Sequence, residues 1–533
     1  MRRAWRIAAA LLAGAVLLAG CGSGGSGSAG GGSEAQGGQG AQGSNVAVYA
    51  VTTEPMIFWD PSDGFSNEII AMNNMYETLL RYDPSTNSFI KVLATDYKSS
   101  PDALTWTFTL RKGVKFHTGK TMTSADVKAS FERTIQHGKG AAYILDPIQS
   151  IDTPDDSTVV FHLKYPAPMD LIVSSPYAAY VFDTDVLKKN GDDWFNQHHE
   201  AGTGPYMLKS WKENDALVLE KFPDYWGGWK TNQFDTVIIK PVEETSTKMQ
   251  MLQAGQADVV DQLPYEQLQA LQNDPNVEIV KTNSWQNLLA FFNTKKKPLD
   301  DVRVRQALSY AFPYQSVIDD VMHGMATQAR GPVPAGLWGH DDNLFQYQED
   351  LEKAKQLLDQ AGVKPGLKLT LTYTSGDENE RRVAELWKAE LAKLGITLDI
   401  QAMPWDPQWQ LAKATDPQKR QDILMMYWWP DYANPYSFLF NMFHSEQTVN
   451  FNLAYYSNPD FDKLIDDANR ISATDRSQAE AKYAQAQEIL VRDAPAVFIY
   501  DQSYVRPIRK SFGGYVDNPA YPNVVFFYNT YRK

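Results

Sequence analysis

The chain has 533 residues, which at about 150 residues per domain predicts three to four domains. Hydrophobic residues make up 43% and charged residues 21%, a balance typical of globular proteins and not of disordered or multi-span membrane chains. The net charge of -14 argues against a nucleic-acid binder, because such proteins cluster basic side chains against phosphates. The single cysteine excludes a disulfide scaffold and a cysteine-based zinc site.

Residues 1–20 have the pattern of an export signal peptide. Three arginines precede the apolar run Ile7–Leu18, which is too short to span a bilayer. The run ends in Leu18-Ala19-Gly20-Cys21, which resembles a bacterial lipobox. In signals of that kind the peptide is cut before the cysteine, whose sulfur receives a diacylglycerol. The alternative is an ordinary signal peptide with an incidental cysteine, but the only cysteine of the chain stands where the lipobox requires one.

A flexible tether is predicted to follow, so that residues 21–45 form a lipidated cysteine and a Gly/Ser-rich linker. Residues 22–44 contain eleven glycines and five serines and have almost no apolar area to bury. The root-mean-square span of such a segment is about 26 Å. The sequence therefore predicts a protein anchored by lipid to the outer face of the bacterial cytoplasmic membrane.

The chain from Val46 onward predicts an α/β body with interleaved domains, since strand and helix patterns alternate without a second linker. Alternating apolar residues indicate strands at Thr105–Leu110 and Thr158–Leu163. Other signals mark helices. Thr123–Asp126 resembles a capping box ahead of a stripe of Val127, Phe131 and Ile135, and Asn458-Pro459 opens a later helix. A further helix is expected to end at Pro495, before another strand.

Catalytic and metal-binding motifs do not stand out. The chain has no P-loop, no H-E-x-x-H and no G-x-S-x-G with plausible triad partners. His198 and His199 are adjacent, so their side chains point apart, and His444 is a lone histidine in an aromatic stretch. We therefore expect no enzyme activity, no cofactor and no resident metal.

Four segments, in order, resemble the extracellular solute-binding proteins of bacterial peptide ABC importers, the oligopeptide, dipeptide and nickel group. They are Leu104–Arg133, Gly202–Tyr206, Phe292–Leu308 and Trp428–Pro435. Each segment also has a structural interpretation: the glycines beside Thr203 suit a tight turn, and Asp300 or Asp301 suits a helix cap. Most of these residues are therefore expected to be scaffold.

The resemblance implies a periplasmic-binding-protein-like clamshell of two α/β lobes joined by a hinge, with an extra domain inserted in the first lobe. Lobe I is placed at 46–85, 202–292 and 500–533, the extra domain at 86–201 and lobe II at 293–499. The implied partners are an oligopeptide ligand held between the lobes and the permease and ATPase subunits of an ABC importer. A monomer is expected.

The resemblance also places the ligand. In the family the aspartate matching Asp431 pairs with a peptide's α-amino group, whereas a local interpretation makes Asp431 a turn or helix cap. The strand before it would offer main-chain groups to an extended peptide. The element at Glu54–Pro61 resembles the family's first-strand contact, with one extra residue. The predicted ligand-binding residues are Asp431, Trp429, Trp428, Tyr427, Trp405, Trp409, Tyr432, Glu54, Met56 and Ile57.

One departure from the family leaves more than one class of ligand compatible with the site. Several oligopeptide binders carry an arginine six residues before the aspartate, where this chain has Met425. The site therefore suits longer peptides, or else an uncharged oligosaccharide on stacked aromatic rings, and a chelated metal is a further alternative. A lipid-anchored secreted hydrolase is the remaining class, and the missing nucleophile motif argues against it.

Overall fold

A computed structural model describes residues 45–533. The predicted signal peptide of residues 1–20, Cys21 and the tether up to residue 44 lie outside the described residues. Within 45–533, no helix is both long enough and apolar enough to cross a membrane.

Helices and strands alternate along the described chain, as the sequence predicts. The strands are β1 (Val46–Val51), β2 (Leu80–Asp83), β3 (Ser88–Lys91), β4 (Ala94–Ser99), β5 (Thr105–Leu110), β6 (Ile148–Asp155), β7 (Thr158–Leu163), β8 (Tyr206–Lys212), β9 (Ala216–Lys221), β10 (Thr236–Pro241), β11 (Val259–Val260), β12 (Val277–Phe292), β13 (Ala326–Gln328), β14 (Lys368–Thr374), β15 (Thr397–Met403), β16 (Ile423–Trp428), β17 (Ala496–Arg509), β18 (Phe512–Gly513) and β19 (Tyr531–Arg532). The α-helices are α1 (Ile69–Met75), α2 (Ser124–His137), α3 (Met169–Ile172), α4 (Asp185–Asn190), α5 (Thr245–Gln253), α6 (Tyr265–Leu271), α7 (Val302–Tyr310), α8 (Tyr314–Ser316), α9 (Leu351–Gln360), α10 (Glu378–Lys393), α11 (Trp405–Ala412), α12 (Pro435–Phe443), α13 (Pro459–Ile471) and α14 (Arg476–Asp493).

Two long antiparallel strands, β12 and β17, run through the middle of an eleven-stranded sheet. Their pairing is interrupted between Asn283 and Asn287 and shifts again after Leu288. On one side of the interruption lie β11, β1, β10, β9 and β8, and on the other lie β16, β14 and β15. The sheet thus joins two α/β lobes through two strands. The predicted domain boundaries at 292/293 and 499/500 lie on or at the ends of these strands and stay predictions.

The first lobe is built on β1, which pairs in parallel with β10 and β11. One face of these strands belongs to a core that includes Tyr49, Tyr206 and Phe527. The other face packs under α5 and α6 through Leu252, Leu268 and their neighbours.

The second lobe is built on β14, which pairs in parallel with β15 along its whole length and with β16 at two positions only. Trp387 on α10 is fully buried against this part of the core. The predicted helix signals are confirmed here, since Asp301 caps α7 and Asn458 caps α13 with Pro459 in its first turn. Helix α14 ends at Asp493, two residues before Pro495.

A separate four-stranded sheet has the order β4-β5-β7-β6 and contains both strands predicted from alternating residues. Helix α2 packs on it and has the predicted capping box at Thr123 and Asp126. Val127 and Phe131 are buried as expected, but Ile135 is 39% exposed. Thr134 takes the inward position instead, because a straight stripe at every fourth residue drifts around a helix of 3.6 residues per turn.

The glycines beside Thr203 have a different cause from the predicted turn. A Cβ on Gly202 would lie 2.0 Å from the carbonyl oxygen of Met75, and one on Gly204 would lie 2.5 Å from that of Asn74. Neither distance is possible for real atoms, so a close approach to the end of α1 requires both glycines.

Candidate functional site

An aromatic cavity with a volume of about 40 Å³ lies between the two lobes. Six of the ten predicted ligand-binding residues form its wall, together with four that sequence reasoning missed. The predicted wall residues are Trp405, Trp409, Tyr427, Trp428, Trp429 and Asp431, and the additional ones are Phe65, Ser66, Met426 and Phe451. This volume is enough for a few water-sized groups, since one water needs roughly 10–15 Å³ of such space.

Two tryptophans enter the wall from helix α11. Trp405 and Trp409 are four residues apart, so they share one helix face, and their ring centroids lie 5.3 Å apart. Phe451 packs against Trp409 at 5.5 Å and against Trp428 at 5.7 Å. From the first lobe, Phe65 reaches across to Trp409, with a centroid distance of 6.5 Å. The result is a box of aromatic rings contributed by both lobes.

Strand β16 forms the floor of the cavity and has an open edge. On one side it pairs with β12 along its full length, from Ile423 to Trp428. On the other side, β14 pairs only with Ile423 and Leu424. The main chain at Tyr427 and Trp428 is therefore not paired with β14, which is the arrangement that strand addition needs.

Asp431 lies just beyond β16 and is only 7% exposed. Its Oδ2 accepts hydrogen bonds from the Tyr143 hydroxyl at 2.8 Å and from the Asn441 amide at 2.6 Å. Burial raises the pKa of this carboxyl to about 6, against the opposing effect of the two hydrogen bonds. A carboxylate in such a place is ionised at neutral pH but poorly solvated, and a cation can stabilise it strongly.

The backbone around Asp431 is held from both sides of the cleft. The Ser437 hydroxyl oxygen accepts from its N–H at 2.8 Å, and the Ser175 hydroxyl donates to its carbonyl at 2.8 Å. Helix capping, the local alternative, falls to another residue, because the Asn434 side chain caps α12 by accepting from the backbone N–H of Tyr436. Among residues 45–533, the Asp431 carboxylate accepts hydrogen bonds from side chains alone.

The remaining four predicted residues do not reach this wall. Tyr432 is buried and faces a different cavity, next to Tyr143. Glu54 accepts from the Trp211 indole and from the Asn214 backbone within the first lobe, both at 3.0 Å. Met56 is buried in the first-lobe core and Ile57 is 45% exposed. A ligand contact by any of these four stays a prediction.

Tyr143 and Asn441 were missed because nothing local in the sequence marks them. Tyr143 lies 288 residues before Asp431, and its ring stacks on Phe440 at 5.4 Å. Asn441 was the available signal, since an amide in the apolar helix α12 needs a partner.

Other candidate chemistry is explained by packing and ion pairs. Within 45–533, two clusters of possible metal ligands have their ligand atoms close together: Asp60, Asp63 and His137, and Asp126, Asp183 and Asp185. Arg133 and Lys139 contact the first cluster, and Lys120 contacts all three acids of the second. The three histidines noted from the sequence pack on aromatic rings: His198 on Trp211, His199 on Trp194 and His444 on Phe440.

Comparison with known proteins identifies the family of the chain. Residues 88–450 match the family described as "Bacterial extracellular solute-binding proteins, family 5 Middle". The chain is 34% identical over 470 residues to the probable D,D-dipeptide-binding periplasmic protein DdpA of Escherichia coli K12, covering 86% of this chain and 88% of that protein. It is 28% identical over 512 residues to heme-binding protein A of Haemophilus influenzae, covering 89% and 90%.

Among solved structures, the periplasmic binding protein DppA from Helicobacter pylori, in complex with the peptide STSA, has a TM-score of 0.82 and 27% identity. The likeness covers 91% of this chain and 98% of that one. The shared fold is the two-lobe clamshell of periplasmic binding proteins, and the proteins it unites bind solutes and do not catalyse reactions. The chain belongs to the bacterial extracellular solute-binding proteins of family 5.

Proposed function

We propose that this protein captures extracellular peptides between its lobes and delivers them to the permease and ATPase subunits of an ABC importer. The observation that carries the proposal is the Asp431 carboxylate, buried at the end of an open-edged strand and inside an aromatic cavity. A buried anion in that position needs a cationic partner, and the α-amino group of a peptide supplies one.

The carboxylate is arranged to receive that amino group. Within the described part of the chain, the side-chain donors Tyr143 and Asn441 both reach Oδ2, so Oδ1 is the oxygen left for a ligand. A charge-assisted hydrogen bond there is roughly twice as strong as a neutral one. The surrounding rings add cation–π attraction for the ammonium and apolar contact for the first side chain.

The rest of a peptide would lie along β16. Its main chain would pair with the open edge at Tyr427 and Trp428, which gives affinity without reading side chains. Relatives whose names record a D,D-dipeptide and the peptide STSA support a peptide ligand for this chain.

The heme-binding relative and the aromatic walls keep a planar ligand or an oligosaccharide as the second candidate. An uncharged ligand would fill the box but leave the Asp431 charge buried and unpaired, at an energetic cost. We therefore place the peptide first.

The protein is further proposed to act as a monomeric lipoprotein. Cleavage before Cys21 and lipid addition to it would hold the body near the outer face of the cytoplasmic membrane. The tether would then let the cleft face away from the membrane while remaining close to the permease.

A calorimetric double cycle tests the ligand assignment. Wild type and Asp431→Asn are each titrated with one peptide in free-amine and N-acetylated forms. Breaking a buried charge pair costs about 2–5 kcal/mol, so the variant should bind the free amine roughly thirty- to several-thousand-fold more weakly. The acetylated peptide should lose far less.

The matched control is Asp501→Asn, which alters an equally buried carboxylate outside the wall. The Asp501→Asn variant should leave the difference in affinity between the free-amine and the acetylated peptide unchanged. A coupling energy near zero between Asp431 and the ligand amine would reject the assignment. Tight binding of an oligosaccharide together with weak binding of every peptide would instead identify an oligosaccharide as the ligand.

A further inference from the structure

Among the described residues, the wall of the aromatic cavity contains a single charged residue, which is negative. Asp431 is the only charged residue among the ten described wall residues. Met425, next to the wall residue Met426, is fully buried in β16 and adds no charge. The wall therefore offers a partner for a ligand cation and none for a ligand anion.

Two more carboxylates stand behind the wall. Gln408, on the same helix as Trp405 and Trp409, is fully buried, and its Oε1 accepts from the Thr374 hydroxyl at 3.2 Å. The Thr374 backbone N–H in turn donates to the Glu380 carboxylate at 2.7 Å. Asp377 caps α10 by accepting from the Glu380 backbone N–H at 2.9 Å. Two hydrogen bonds through Thr374 thus connect the cavity helix to Glu380, and a third joins Glu380 to Asp377.

The acid pair acts electrostatically on the wall. Burial raises the pKa of the Tyr427 hydroxyl, and the charges of Asp377 and Glu380 raise it further. Burial also raises the pKa of Asp377 to about 6, so this group is ionised at neutral pH. Burial and the neighbouring Asp377 raise the pKa of Glu380 well above its ordinary value, so Asp377 carries the negative charge of the pair. A second negative charge therefore acts on the wall at Tyr427.

Two cations lie near the cavity but are not among its wall residues. Arg381 adjoins Glu380 in sequence but pairs with Glu378 and Glu385 on its own helix. The Lys413 ammonium lies 5.4 Å from the ring centroid of Trp409, yet Lys413 is half-exposed at the end of α11 and is not a wall residue. Neither supplies a buried positive charge to the cavity.

We propose that the cleft selects ligands of net positive charge, which present an ammonium and an apolar group and carry no free carboxylate inside the cavity. This rests on the proposed role of Asp431 and adds the charge class of the ligand. A zwitterionic dipeptide would bring its carboxylate into a dry site whose fixed charges are negative, where like charges repel strongly. A peptide amide keeps the ammonium and removes that repulsion.

Calorimetry at pH 7 with L-leucyl-L-phenylalanine amide, its free acid and 2-phenylethylamine tests the proposal. At that pH carboxyls with a pKa of about 6 are ionised and α-amino groups are mostly protonated. The amide should bind at least tenfold more tightly than the free acid. Equal or tighter binding of the free acid would overturn the proposal while leaving peptide capture intact.

Substitution of Asp377 tests the source of the selectivity. Asp377→Asn removes the charge, and Asn caps a helix as well as Asp does, so the fold is retained. The ratio of amide to acid affinity should fall several-fold. Asp350→Asn, at the cap of α9, is the matched control and should keep the wild-type ratio. An unchanged ratio in Asp377→Asn would refute the contribution of the acid pair.

Titration with 2-phenylethylamine distinguishes the proposal of peptide capture from the proposal of a cation-selective cleft. Binding of 2-phenylethylamine without binding of either peptide form would reject peptide capture and support a cation-selective cleft. Failure of all three probes to bind would overturn both.

Discussion

Asp431→Asn should make the ligand-free protein more stable at pH 8, although it weakens binding. Burial raises the pKa of this carboxyl from an ordinary 3.8 to about 6, so the folded protein holds its proton more tightly than the unfolded chain. Ionisation therefore costs stability, progressively as pH rises from 3.8 through 6 and fully above 6. A shift of about two pH units corresponds to about 3 kcal/mol. The side chain is 7% exposed, so solvent screening reduces this little.

Denaturant unfolding followed by tryptophan fluorescence, at pH 8 and pH 5, measures the effect. The variant should gain up to about 3 kcal/mol at pH 8 and about half of that at pH 5, where the wild-type carboxyl is mostly protonated in the fold. Asp185→Asn is a control of opposite sign, because hydrogen bonds from Lys120 and Lys188 lower the pKa of Asp185 to about 2. A variant at Asp431 that is less stable than wild type at pH 8, or equally affected at both pH values, would refute the reasoning.

Three further predictions concern the hydroxyl on Asp431, closure and anchoring. Tyr143→Phe keeps the stack on Phe440 but removes a hydrogen bond worth about 1.5–3 kcal/mol, so the pH below which free-amine peptides lose affinity should rise by about one unit or more. Titrations from pH 5 to 8 measure this, and Tyr165→Phe, whose hydroxyl bonds Asp146, should not shift it. A saturating peptide should compact the protein in small-angle scattering and change the tryptophan fluorescence, and an unchanged radius would count against the clamshell cycle. Cys21→Ser should release the protein from washed membranes, and persistent fatty-acid labelling of that variant would contradict the anchor.

Local patterns in the sequence predicted local structure well. Alternating residues located β5 and β7, and side-chain caps located the starts of α2, α7 and α13, because each signal acts within one turn or one strand. The same locality explains six of the wall residues, which lie on α11, β16 and the loop after it. Their clustering in the chain survives folding.

Contacts between distant segments could not be predicted in this way. Phe65 and Tyr143 reach the site from segments hundreds of residues away, and no periodicity encodes which loop meets which strand. The Gly202 and Gly204 pair shows the same limit, since a local interpretation gave a turn where the cause is a neighbouring helix end. The prediction that Ile135 is buried was wrong for a simpler reason, because residues spaced strictly four apart do not stay on one helix face.

The contacts that close the cleft differ greatly in how much free energy they contribute to closure. The Arg382–Glu266 ion pair joins the lobes at 3.3 Å, but its side chains are 33% and 58% exposed, and such pairs contribute about 0–1 kcal/mol. The Asp431 carboxylate is buried, and its charge is costly in the closed cleft until a cation meets it. A ligand ammonium therefore removes the electrostatic cost of burying the Asp431 charge, whereas the energy of the surface contacts changes little. Specificity for a cation and closure of the lobes would then depend on the same carboxylate.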